Sequence, residues 1–217
     1  MDKFCGVFKT RPVVLPVIHV VDETQAIKNI LIAQEEGSDG VFLVNHTMSS
    51  EVLLKIYGSV VKEFPDFWIG VNCLGWRPDE VFNEVFRRRL FNLSGIWVDN
   101  AMINEHEHPD VQLEAEIINR FRELDGWRGL YFGGVAFKYQ RAVSELEIAA
   151  QIAVRYMDVV TTSGPGTGHA AKIEKIRRMK LAIGEKPLAI ASGITPENVH
   201  NYLGISDCFL VATGISK

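Results

Sequence analysis

Long apolar runs are missing from this sequence. No stretch approaches the ~20 consecutive residues of a membrane-spanning helix, and Met1-Asp2-Lys3-Phe4 lacks the apolar region of a signal peptide. Cysteine is scarce: Cys5, Cys73 and Cys208 are odd in number and widely scattered, the pattern of free thiols in a reducing, hence cytoplasmic, compartment. Basic charge is not in excess either. The 23 Lys and Arg against 27 Asp and Glu leave a formal charge of -4, which argues against a nucleic-acid partner, whose phosphates need a basic face. Arg87-Arg88-Arg89 reads as a solvated helix face. The dinucleotide fingerprint is absent, because Gly164-Pro165-Gly166-Thr167-Gly168-His169 has the wrong spacing and lies late in the chain. A zinc signature is absent too. Asn104-Glu105-His106-Glu107-His108-Pro109-Asp110 puts His106 and His108 on one side of an extended segment, but without the fixed ligand frame of a metal site. No cofactor is expected, and a divalent metal beside Asp99 has no motif behind it.

Apolar content, by contrast, is plentiful: 47% of the 217 residues are hydrophobic, enough for one globular domain over residues 1–217 that offsets the entropy of ordering. Short β-branched or aromatic runs alternate with longer segments of helical period. The runs cover residues 13–20, 41–45, 67–73, 96–99, 130–137, 157–162, 188–192 and 208–212. Between them, helices are predicted over 24–36, 50–63, 79–90, 111–124, 144–155, 171–183 and 196–203. The runs are nearly continuous in apolar character, as expected of parallel strands covered on both faces. Eight such units predict a closed (β/α)₈ TIM barrel. An open doubly wound sheet would carry its glycines after the first strand, where this chain has Val21-Asp22-Glu23.

Barrel chemistry sits at the C-terminal ends of the strands. Those ends carry His19, Asn45 with His46, Asn72, Asp99 with Asn100, Lys138, Thr162 with Ser163, Ser192 with Gly193, and Thr213 with Gly214. Turn formation is the ordinary task of Asn and Asp at such places, yet eight polar ends around one mouth predict a site. Gly193 permits close backbone approach. Thr195 and Pro196 suit an N-cap and first helical turn. The turns after strands seven and eight are therefore expected to cradle a phosphate through Ser192, Gly193, Thr213 and Gly214. Asn45, Asn72, Thr162 and Ser163 are further candidate substrate contacts. His169 on the glycine-rich loop and the Trp76-Arg77 pair are read either as ligand contacts or as ordinary surface and packing residues.

Several of these segments together resemble the BtpA/SgcQ family: Lys9-Thr10-Arg11-Pro12-Val13 through Val17-Ile18-His19, Glu36-Gly37-Ser38-Asp39-Gly40-Val41 with Val44-Asn45, Ile69-Gly70-Val71-Asn72, Lys138, Thr161-Thr162-Ser163-Gly164, and Ser192-Gly193-Ile194-Thr195-Pro196-Glu197-Asn198-Val199. The resemblance covers nearly the whole chain in order. It implies a TIM-barrel-like fold related to the phosphate-binding barrels, in a family linked to photosystem I biogenesis and sugar metabolism. The chain departs from that family in Val20-Val21-Asp22-Glu23 after the first strand and in Gly134-Val135-Ala136-Phe137-Lys138 at the fifth, where only the lysine matches. The segment from Ser192 to Val199 is also similar to phosphoribosylanthranilate isomerase, and Lys3-Phe4-Cys5-Gly6 resembles that enzyme's first strand. Here Cys5 precedes the first strand, and strand six ends without a carboxylate. The phosphate loop carries over and the chemistry does not.

The expected function is an isomerase or lyase acting on a phosphorylated small molecule, a sugar phosphate or phosphoribosyl compound. Asp99 and His19 would exchange protons, while Lys138 would stabilise an oxyanion or form a Schiff base. The competing expectation is a non-catalytic ligand-binding or assembly-factor barrel. The eighth strand is followed by residues 213–217 alone, with no room for an eighth helix. The cleft left there would be covered by the N-terminal stretch, a further tail or a second copy in a homo-oligomer.

Overall fold

A computed structural model describes residues 2–124 and 126–212. Eight parallel strands close into a barrel in chain order, β1 pairing with both β2 and β8. They are β1 (Val13–Val20), β2 (Val41–Asn45), β3 (Ile69–Asn72), β4 (Gly95–Val98), β5 (Leu130–Gly134), β6 (Val159–Ser163), β7 (Leu188–Ala191) and β8 (Cys208–Val211). The helices are α1 (Lys3–Val7), α2 (Glu23–Glu35), α3 (Ser50–Val60), α4 (Pro78–Arg87), α5 (Leu113–Leu124), α6 (Leu146–Ala153) and α7 (Ile173–Ile183). This is the (β/α)₈ barrel that the alternating segments predict. Among the described residues, no helix is long and apolar enough to cross a membrane.

Local chemistry sets the helix starts. Asp22 accepts the Gln25 amide at 2.7 Å to cap α2. Pro78 opens α4, where Glu80 accepts the Arg77 amide at 2.6 Å. Two apolar cores result. One fills the space between strands and helices, and it includes Leu43, Val71 and Val160. The other fills the barrel itself with Leu15, Phe42, Trp97, Phe132 and Leu210. Every strand supplies side chains to the first core, and every strand but β3, whose alternate positions are Gly70 and Asn72, supplies the second with the other set.

Three expectations need correction. The segment predicted as a helix over 196–203 forms only a 3-10 turn, Val199–Tyr202. Asn198 spends its side chain locally there, accepting the Thr195 amide at 2.9 Å and donating to the Gly193 carbonyl at 2.7 Å. Such side chain–backbone bonding competes with an α-helix. Strand five stops at Gly134 rather than at 137, because Ala136 takes φ +48° and leaves the extended region. The N-terminal stretch does not lie in a lateral cleft. It forms α1, which inserts Phe4 and Phe8 into the barrel core against Phe132 and Trp68 and stoppers the end opposite the mouth. The expectation about an eighth helix falls on residues outside those described.

Candidate functional site at the barrel mouth

Strand alternation decides which strand-end side chains face the mouth. On β1 the barrel-facing series Val13, Leu15 and Val17 continues to His19. On β2 it runs Phe42, Val44 and then His46, whose ring stacks on that of His19 at 5.1 Å and 12°. The same phase brings Asn72, Asp99 and Ser163 inward. Asn45 and Thr162 lie one residue out of phase, with the helix-side series of Leu43 and Val160. Asn45 accepts the Leu74 amide at 2.7 Å and donates to Met48 at 3.1 Å. Thr162 donates to the Ala136 carbonyl at 3.2 Å. Both are buried and bind loop backbone, so the structure does not bring them to the mouth with the others.

Asp99, His19 and Lys138 surround the mouth, and the Lys138 charge acts on both of the other two. Burial raises the Asp99 pKa above the usual carboxylate range, against smaller opposing effects of the Asn72 hydrogen bond (3.0 Å) and Lys138. Burial lowers the His19 pKa, and the charges of His46 and Lys138 add to that. A carboxyl shifted upward and an imidazole shifted downward form the kind of pair from which acid–base chemistry near neutral pH is built. Gln140 donates to the Asp99 carbonyl and fixes the loop from beneath. One layer below, Trp97 Nε1 and Thr161 Oγ1 are buried without a partner among the described residues. Buried polar atoms of this kind call for a ligand atom or ordered water.

Strain concentrates at the same rim. Of the five non-glycine residues with positive φ among the described residues, Met102, Ala136, Tyr139 and Ser192 lie in loops that follow strands β4, β5 and β7. Ser192, at φ +68°, turns its hydroxyl to within 3.1 Å of Lys138 Nζ, which also donates to Thr167 at 3.1 Å. The Lys138 amide donates to Ser163 at 2.8 Å. Gly193 (φ +69°) is packed so closely by the backbone of His169 and Ala170 that a Cβ would overlap it. The glycine-rich loop thus folds back onto the β7 turn. Its N–H nonetheless has no acceptor among the described residues. Thr213 and Gly214, the other half of the expected cradle, lie outside the described residues.

Other motifs resolve differently. Trp76 packs against the outer core, and Arg77 pairs with Asp79 at 3.1 Å. Within the His106 segment, Glu105 carries the structural load. Its buried carboxylate takes both guanidinium nitrogens of Arg141 and the Ser144 amide, and Arg141 holds its pKa at about 2. Among the described residues, no group of three or more His, Cys, Asp or Glu is placed to hold a metal ion. Cys5 sits at the stoppered end beside Arg11, far from the mouth chemistry.

Sequence reasoning missed Lys175. From α7 its Nζ reaches the carbonyls of Ala136 (2.5 Å) and Ser163 (2.7 Å), and burial depresses its pKa to about 8. A folded-state pKa below the unfolded value means the contribution to stability is full above about pH 10.5 and is lost as the pH falls toward 8. The unfolding free energy of the parent relative to Lys175→Met is therefore expected to rise across that window, by up to about 3 kcal/mol. Urea titrations at both ends of the window measure it, and a flat difference contradicts the assignment.

No protein-family model matches the chain, and no curated protein matches it. Solved structures do. Phosphoribosyl anthranilate isomerase from Thermus thermophilus aligns with TM-score 0.60 and 18% identity, covering 94% of this chain and 89% of that one. Orotidine 5'-monophosphate decarboxylase from Methanocaldococcus jannaschii, complexed with the inhibitor BMP, aligns with TM-score 0.65 and 13% identity over 94% and 90% of the two chains. 2,3-Dimethylmalate lyase, of the PEP mutase/isocitrate lyase superfamily, gives TM-score 0.68 and 9% identity over 96% and 78%. At these identities the likeness is one of fold, and fold does not carry function.

Proposed function

We propose that the mouth binds a phosphorylated small molecule and performs proton-transfer chemistry on it, as an isomerase or a lyase. The observation that carries this reading is the placement of Asp99, His19 and Lys138 around one barrel mouth, where burial pushes the Asp99 carboxyl up and the His19 imidazole down. Asp99 takes a proton from carbon next to a carbonyl, and His19 passes a proton to or from the oxygen. Lys138 stabilises the negative charge that develops on that oxygen. In the lyase version the Lys138 amine adds to the carbonyl and expels water as the imine forms. The resulting cation then accepts the electron pair of the breaking carbon–carbon bond. The phosphate sits against the Gly193 amide and the Ser192 hydroxyl, and the sequence offers Thr213 and Gly214 as further donors. Support comes from the names of two barrels of the same fold, an isomerase of a phosphoribosyl compound and a decarboxylase of a nucleoside monophosphate. The BtpA/SgcQ-like segments, which end in the same loop, support it as well.

Borohydride added during incubation with phosphorylated aldoses and ketoses separates the two chemistries. A lyase yields a reduced adduct at Lys138, detected by peptide mass spectrometry. Turnover without an adduct leaves the isomerase. One observation favours a non-catalytic, ligand-binding barrel: Lys138 Nζ is already engaged by Thr167 and Ser192. On that reading Lys138→Ala binds the phosphorylated ligand as the parent does, and no compound turns over.

A further inference from the structure

Beside the mouth, between the loops that follow β5 and β6, lies a cavity of about 500 Å³. Its lining includes Lys138, Arg141, Lys172, Lys175 and Arg178 and no Asp or Glu. Two of these cations are already neutralised, Arg141 by Glu105 and Arg178 by Glu147 at 2.5 Å. Lys138, Lys172 and Lys175 have no carboxylate partner among the described residues. For Lys175, burial is the single cause of its lowered pKa, with no anion offsetting it. The first turn of α7 opens on the same wall. Lys172 precedes it without a side-chain cap, and the first helical bond is from Ile176 to the Lys172 carbonyl at 3.3 Å. The preceding amides are therefore left to other acceptors. Burying a cation without a counter-charge is costly unless something else supplies one. The comparable cavity at the stoppered end differs, since Asp2, Glu123 and Asp158 stand in its lining and Asp158 pairs there with Arg122 at 2.6 Å and Lys3 at 3.7 Å.

We infer that this cavity is a second anion subsite, which holds a phosphate or carboxylate group of a substrate carrying two anionic groups. Lys138 joins the two subsites, lining the cavity while its Nζ stands 3.1 Å from Ser192 Oγ. Lys172 and Lys175 bind the anion directly, and the α7 amides add donors. Phe137, Val143 and Leu146 form the apolar part of the wall and hold the carbon skeleton next to the anion. That one substrate spans both subsites rests on the proposed function of the mouth. That the cavity binds an anion does not.

Inorganic phosphate is the probe. The amides of the isotopically labelled protein are followed by nuclear magnetic resonance during a phosphate titration, against sodium chloride at matched ionic strength. The expected result is saturable shifts of amides in residues 137–144 and 172–176, separate from those of Gly193 and Ile194. Lys172→Ala, an exposed change, and Lys175→Met each weaken binding in the first group by about tenfold and leave the second group unchanged. Cavity amides that do not move, that move equally with chloride, or that respond in both variants as they do in the parent overturn the subsite. A silent Gly193 beside a responding cavity removes the phosphate reading of the mouth and with it the shared substrate, while the cavity stands as an anion site.

Discussion

Asp99→Asn lowers turnover of the phosphorylated substrate by about 10²–10⁴-fold, while at neutral pH the variant is at least as stable as the parent. The two effects have one cause. Asp99 closes the inward-facing series of β4, and burial raises its pKa, with the Asn72 bond and Lys138 opposing. A group with a raised folded-state pKa contributes its full stability below the unfolded-state value, and that contribution is lost as the pH rises through the folded value. At neutral pH the parent therefore keeps a costly buried carboxylate that the chemistry uses. Asparagine preserves the shape, can still pair with Asn72, and removes both the base and the cost. Urea midpoints of parent and variant from about pH 3 to about pH 7 are expected to diverge in the variant's favour as the pH rises. Unimpaired turnover in Asp99→Asn would remove the base assignment. A stability difference independent of pH would show that the burial cost has been misattributed.

Phe42→Ala costs about 3–5 kcal/mol, which for a chain of this size lowers the melting temperature by roughly 10 °C. Phe42 is fully buried at the centre of the barrel, its ring 5.1 Å from Trp68, 5.6 Å from Trp97 and 5.1 Å from Phe132. Four large rings fit one barrel because small residues stand opposite them. At Gly70 a Cβ would overlap Phe42, and at Gly95 it would overlap Trp68. Gly70→Ala alone is therefore overpacked and destabilising by about 1–3 kcal/mol. In the Phe42→Ala, Gly70→Ala double variant the new methyl enters vacated space. The combined loss is then smaller than the sum of the single losses, as read from denaturant midpoints at constant slope. Strict additivity, or a loss below about 1 kcal/mol for Phe42→Ala, is incompatible with this packing.

Much of the fold is legible from short-range pattern. Residues 13–20 and 41–45 are strands in the positions their apolar runs indicate, because continuous β-branched character is a local property. The helix starts follow from Asp22 and Pro78 in the same way. Less legible are places where a side chain is recruited by distant backbone. Reading for function directs attention to the C-terminal ends of strands, yet carboxylates at the other end hold the barrel closed. Asp207, just before β8, takes Arg11 at 2.7 Å, Lys180 at 2.7 Å and the Leu188 amide at 2.9 Å. Asp158, before β6, takes Arg122 at 2.6 Å and the Tyr131 amide at 2.8 Å. Nothing near either aspartate in sequence announces those partners.

The sequence by itself determined the architecture, since strand and helix periods, caps and turn residues act over a few neighbours and eight repeated units close in one way. It also determined that polar groups collect at the strand ends. Tertiary structure alone decided which of them meet. A one-residue phase sends His46 to the mouth and Asn45 to the loops, and a lysine on α7 arrives between β5 and β6. The charge balance of the side cavity was decided at that level too: Arg141 is neutralised by a glutamate 36 positions away, and Lys175 by none described. Electrostatic surroundings are summed over whatever lies within several ångströms in space, and in a closed barrel those neighbours come from every part of the chain.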